Sequence, residues 1–172
     1  MELNELLIDV FSRIEEHVHE AVDGLDTSML TATVAEGTNS IGWLVWHLTR
    51  VQDHHISELL GDDQVWQTGA WAERFGLGAD PQNTGYGHSP DETASVRPGS
   101  ADVLVEYYAA VAERTRGLLE KTTPSDLDRV VDKRWDPPVT LGVRLVSVAD
   151  DDIQHAGQAS YLRGILQRRS GG

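Results

Sequence analysis

The stretch TLGVRLVSVADDDIQHAGQASYLRGILQ, residues 140–167, decides the architecture. Its apolar residues keep a helical period over this whole range, with Thr140 placed as N-cap. A helix of this length is expected to be the backbone of the domain. At about 100° per residue, Asp151 and His155 lie one turn apart on a face shared with Arg144, Val148, Gln158 and Leu162. That face is largely apolar and is expected to point inward. Asp150 and Asp152 project to either side and are expected to meet water. A charged side chain goes inside only with a partner, so Asp151 needs one.

The rest of the composition narrows the choices. A chain of 172 residues, 40% apolar with five tryptophans, is enough for one globular domain spanning 1–172. Its 28 acids against 14 bases give a net charge of −14. That balance argues against nucleic acid and anionic membranes as partners. Cysteine is absent, which excludes disulfides, thiolate metal sites and a thiol nucleophile of the protein's own. Any thiol chemistry must use a thiol supplied by a substrate. The opening MELNELLIDVFSRIEEHVHEAV is acidic and amphipathic, unlike a signal peptide. No apolar run approaches the roughly 20 residues that span a bilayer, so a cytoplasmic protein is expected.

Three further long helices accompany the last. The first covers about 3–23, with Leu3, Leu7, Val10, Ile14 and Val18 on one side, and ends at DGLD. The second follows the capping residues Thr38, Asn39 and Ser40 and runs to Gly61, a C′ glycine. The third runs from Ser100 to about Lys121. Short helices are signalled by SPDE at 89–92, which has capping-box spacing, and by TPSDLDRVV at 123–131. RWDPPVT is at most extended. The connection over 61–99 is long enough for a crossover. The expected fold is therefore all-α: an up-down-down-up four-helix bundle whose second and fourth helices run antiparallel. The aromatics Trp66, Trp71, Phe75, Tyr86 and His88 suit the crossover for covering one end of that bundle.

A carboxylate and an imidazole at i, i+4 can grip one ion from a single helix, as in related metal motifs. A third ligand is available on the second helix, in WHLTRVQDHH. Periodicity does not choose among His47, His54 and His55, and slightly favours His55. Axial level favours His47. At about 1.5 Å per residue it stands roughly 20 Å from the end of its helix, matching the depth of Asp151 and His155 on an antiparallel neighbour. His17 and His19 are expected on the surface, and His88 in a turn.

These residues carry a resemblance. NSIGWLVWHLTRVQDHHISELLG (39–61) followed by VTLGVRLVSVADDDIQHAGQASYLRG (139–164) resembles the DinB-like superfamily of metal-binding four-helix bundles, and within it the actinobacterial mycothiol S-transferases. The resemblance implies the crossover bundle and a divalent ion held by His47, Asp151 and His155. Aspartate stands where many relatives have histidine or glutamate. Three protein ligands with one open position suit zinc, with nickel, manganese or iron as alternatives. The implied activity is thiol S-transfer. A low-molecular-weight thiol, mycothiol, binds the ion as thiolate and attacks a small electrophile. Arg50, His54 and Gln158 are the substrate-side candidates: Arg50 for an anionic group, Gln158 as a hydrogen-bond partner. No catalytic acid or base is assigned, and a second copy of the chain stays open as a partner. Two other classes compete: a hydrolase using metal-bound water, with His54 or His55 as acid–base partner, and a non-enzymatic metal-stabilised binding module. A non-haem iron oxygenase would use the same ligand types but favours a β-rich scaffold.

Overall fold

The computed structural model describes residues 1–170. Four long helices form the bundle: α1 (Leu3–Val22), α3 (Ile41–Leu60), α7 (Ala101–Leu119) and α8 (Leu141–Ser170). The capping residues act as the sequence suggests. Ser40 Oγ accepts from the Trp43 amide at 3.1 Å, Gly61 closes α3 in the left-handed region at φ 73°, and Ser100 Oγ accepts from the Val103 amide. Each cap satisfies amides or carbonyls that a helix end leaves without partners.

Helix α3 packs between α7 and α8, and α1 closes the opposite side between the same two helices. Consequently α3 is buried on most of its circumference, with Trp46, Leu48 and Arg50 fully enclosed. Its direction relative to α8 is read from side-chain pairs. His47 meets His155, whereas His55, two turns later, meets Arg144, three turns earlier. The two helices are therefore antiparallel. Against α7 the order runs the other way, Asp53 to Tyr107 and Ser57 to Arg114, so that pair is parallel. The crossover topology follows.

Several short elements differ from expectation. The first connection contains α2 (Thr27–Thr31), and the crossover contains α4 (Val65–Thr68) and α5 (Trp71–Arg74) before α6 (Pro90–Ser95), whose Ser89–Glu92 capping box was expected. The helix expected at 123–131 is only a 3-10 turn at Pro124–Asp126. Beyond it the β-branched Val130 and Val131 enter β1 (Val130–Asp132), which pairs antiparallel with β2 (Val139–Thr140). Of the crossover aromatics, Trp66 and Phe75 are fully buried, but Tyr86 stands 94% exposed and caps nothing. No helix among the described residues is long and apolar enough to cross a membrane.

The crossover is pinned by a buried ion pair. Asp53 accepts from the Val65 and Trp66 amides, both at 2.9 Å, and from the Tyr107 hydroxyl at 2.7 Å. Arg50 lies beside it and donates to the carbonyls of Asn83 and Pro81, both at 3.0 Å, and to Gln64 Oε1 at 2.8 Å. Its guanidinium also sits 4.8 Å from the Trp66 ring centre. Arg50 is thus a structural clamp with no exposed surface, which corrects its assignment to an anionic substrate group.

Asp152 is a second correction. Asp150 is exposed as expected, but Asp152 is completely buried and neither carboxylate oxygen has a hydrogen-bond partner. A single inward stripe was too narrow a picture, because α8 is covered by both α1 and α3 and its buried arc extends past one face. Burial, aided by the Asp151 charge, raises the Asp152 pKa well above the carboxylate range. The buried Tyr108 hydroxyl, whose proton is held by its own burial and by the nearby Asp152 and Glu15 carboxyls, is also unpartnered.

Candidate metal centre

His47, Asp151 and His155 come together where α3 and α8 cross. Each offers one ligand atom, and these atoms lie within 4.8 Å of one another. His155 Nε2 stands 3.7 Å from Asp151 Oδ1, and the two imidazoles meet edge to face with centroids 4.7 Å apart.

Both rings are held through Nδ1. His47 Nδ1 donates to the carbonyl of Thr84, and His155 Nδ1 donates to Gln158 Oε1 at 2.9 Å. An acceptor at Nδ1 fixes the hydrogen there and leaves the Nε2 lone pair free. Outer partners set the tautomer of metal-ligating histidines in this way. Trp43 stacks on His47 at 4.6 Å and stands edge-on to His155, so neither ring is free to turn. Burial lowers the pKa of His47, with His155 adding to the effect, against the opposing pull of the Thr84 carbonyl and Asp151. The ring is neutral at neutral pH, as a ligand must be. Asp151 Oδ2 is buried and has no hydrogen-bond partner. Two aimed lone pairs beside an orphaned buried carboxylate oxygen are the donor set a divalent cation satisfies.

The centre opens into a cleft of about 430 Å³ that runs along α3 past Val51 to His54 and His55, with Gln82, Thr84 and Tyr86 as the opposite wall. His54 lines this cleft. Gln158 does not; its amide oxygen orients His155, so its contact is with that imidazole rather than with the cleft. His17 and His19 are exposed as expected. His88 anchors the crossover loop, accepting from Trp43 Nε1 at 3.2 Å and donating to Asn83 Oδ1 at 2.8 Å.

Sequence reasoning missed the loop that wraps this centre. Gly85 lies at φ +91°, and a Cβ there would approach His47 Nδ1 to 2.8 Å. The pair of glycines in TGYGH marks a tight turn, but nothing local says that the turn lies on His47. Gln64 and Trp43 went unnoticed for the same reason, since their partners are distant in the chain.

The crossed helices, the crossover loop and the His–Asp–His set define a DinB-like helical bundle. More narrowly, the family model described as mycothiol-S-transferase matches residues 6–168, and the chain belongs to that family. A solved structure, described as a conserved protein of a locus from Enterococcus faecalis, is similar at 34% identity. The match covers 95% of this chain and 96% of that one, with a TM-score of 0.86. No curated protein matches.

Proposed function

We propose that this protein is a metal-dependent S-transferase that conjugates a low-molecular-weight thiol, mycothiol, to a small electrophile. The observation that carries the reading is the donor set itself, two imidazoles engaged through Nδ1 with Nε2 left over and one unpartnered carboxylate oxygen, in a chain of the mycothiol S-transferase family. His47, Asp151 and His155 would hold the ion, zinc by preference, beside the cleft. Bound there, a divalent cation supplies the Lewis acidity that ionises an arriving thiol. Thr84 and Gln158 keep the two rings aimed, while Trp43 excludes water from the His47 face. Val51 and Tyr86 give the cleft apolar surface for the electrophile. With no cysteine in the chain, the thiol must be the substrate's.

The test is conjugation of mycothiol to monochlorobimane, read by fluorescence. Metal-loaded protein should catalyse it, a chelator should abolish it, and added zinc should restore it. Activity persisting in a His155→Ala variant stripped of metal would refute the reading.

A further inference from the structure

Two turns beyond the metal centre, His54, His55 and Glu58 form a second group whose ligand atoms lie within 4.8 Å of one another. By residue type this is another metal site. The hydrogen bonds give it the opposite polarity. Arg50 has donors only, and its Nη1 lies 2.8 Å from Gln64 Oε1, so that atom is the amide's acceptor end. Gln64 Nε2 is then the donor end, reaching the Pro81 carbonyl at 3.2 Å and His54 Nδ1 at 3.1 Å. His54 Nδ1 accepts, and the neutral ring must carry its hydrogen on Nε2. Among the described residues no hydrogen bond reaches that nitrogen; the Pro81 carbonyl, which also acts on the ring, already accepts from Gln64 Nε2, and His54 lines the cleft.

His55 is wired in the same sense. Arg144 Nη1 donates to its Nε2 at 3.3 Å, which puts the hydrogen on Nδ1, a buried atom 3.8 Å from Glu58 Oε2. Burial lowers the pKa of both rings, and that of His55 to about 4, so both are neutral near pH 7. A metal needs lone pairs, and at this group the guanidinium and amide donors already occupy them. At His47 and His155 the arrangement is reversed, with Nδ1–H spent on carbonyl oxygens and Nε2 free. One cleft therefore holds a lone-pair end and a hydrogen-donor end.

We infer that His54 is a specificity residue. It presents a neutral Nε2–H donor that receives a hydroxyl or carbonyl oxygen on the polar part of the thiol substrate, about 10 Å along α3 from His47. The inference rests on the thiol-transfer reading above. A thiol seated by its sulfur at the metal end extends toward His54 along the cleft. Mycothiol, which joins N-acetylcysteine to a glucosamine–inositol unit, carries uncharged hydroxyls on that side. An uncharged donor matches uncharged acceptors without a desolvated ion on either partner. Arg50 acts here as a positioning residue, setting the polarity of His54 through Gln64.

The test has three arms. Nitrogen-15 NMR of histidine-labelled holoprotein should show His54 protonated at Nε2, and Gln64→Glu, which puts an acceptor at Nδ1, should move the hydrogen to Nδ1. Protonation at Nδ1 in the wild type would overturn the inference. Kinetically, the ratio of kcat/KM for mycothiol over N-acetylcysteine, which lacks the sugars, should fall about tenfold in His54→Ala and in Gln64→Glu. His54→Gln, whose amide N–H stands in for Nε2–H, should recover most of it. An unchanged ratio in both losing variants would overturn the inference. Elemental analysis should find one zinc per chain; two would mean that the second group is a metal site after all. If the metal-loaded wild type conjugates neither thiol, the thiol-transfer reading fails and takes the named substrate with it. The NMR arm needs no turnover and still judges the donor assignment.

Discussion

Gly85→Ala tests how the crossover loop serves the metal centre. The residue sits at φ +91°, where an L-residue is strained by about 1–2 kcal/mol. The new methyl would also lie 2.8 Å from His47 Nδ1, 2.9 Å from the Trp46 ring and 3.1 Å from the Trp43 ring. Trp46 is completely buried and Trp43 nearly so, so neither ring can yield and the loop must move instead. Thr84 precedes the substituted residue, and its carbonyl holds His47 Nδ1. Lifting the loop removes that bond and with it the acceptor that fixes the hydrogen of His47 on Nδ1. Loss of such an orienting partner costs roughly 10- to 100-fold in metal affinity, or about 1.4–2.7 kcal/mol. Zinc affinity should be measured by competition with a chromogenic chelator, with circular dichroism and urea titration run in parallel. The expected outcome is a 10- to 100-fold weaker zinc site in a bundle of normal helicity. Unchanged zinc affinity in the folded variant would refute the coupling between this loop and His47.

Asp53→Ala should be among the most damaging substitutions in the chain. It strands the fully buried Arg50 and removes the acceptor for the Val65 and Trp66 amides, at a cost of about 3–5 kcal/mol. A loss below about 1 kcal/mol in urea unfolding would show that the clamp does not hold the crossover. Asp152→Asn should alter the pH dependence of stability. Burial keeps the folded carboxyl protonated, whereas the unfolded one ionises near pH 3.9. Native protein therefore binds the extra proton above that pH, and stability present below it is lost as pH rises toward the folded pKa. An asparagine cannot ionise, so the variant's melting temperature relative to wild type should be higher at pH 8 than at pH 5. A difference that does not change with pH would argue against a protonated Asp152.

Much of this molecule is legible in the chain because its main signals are local. Helical period, Ser40, Ser100 and Gly61 place the long helices, since capping and amphipathicity involve residues within a turn or so of one another. The length of the crossover and the axial levels of His47, Asp151 and His155 are also linear quantities. With the antiparallel crossing assumed, they bring those three side chains together. Arg50 and Asp152 were not legible in the same way. Whether Arg50 meets solvent or Asp53, and whether Asp152 faces water or a second helix, depends on which elements cover each arc of α3 and α8. Burial is a property of the assembled bundle, and a periodic pattern records only the strongest face.

The polarity of each imidazole belongs to the tertiary structure as well. His47 and His54 are the same residue type seven positions apart on one helix, yet one offers a lone pair and the other a hydrogen. The partners that decide this, the Thr84 carbonyl and the Gln64 amide, come from the crossover. Sequence alone determined that His47, Asp151 and His155 stand at one level of two antiparallel helices. Only the folded chain decided which way their protons point, because a tautomer is set by the hydrogen-bond partner that packing delivers to the ring.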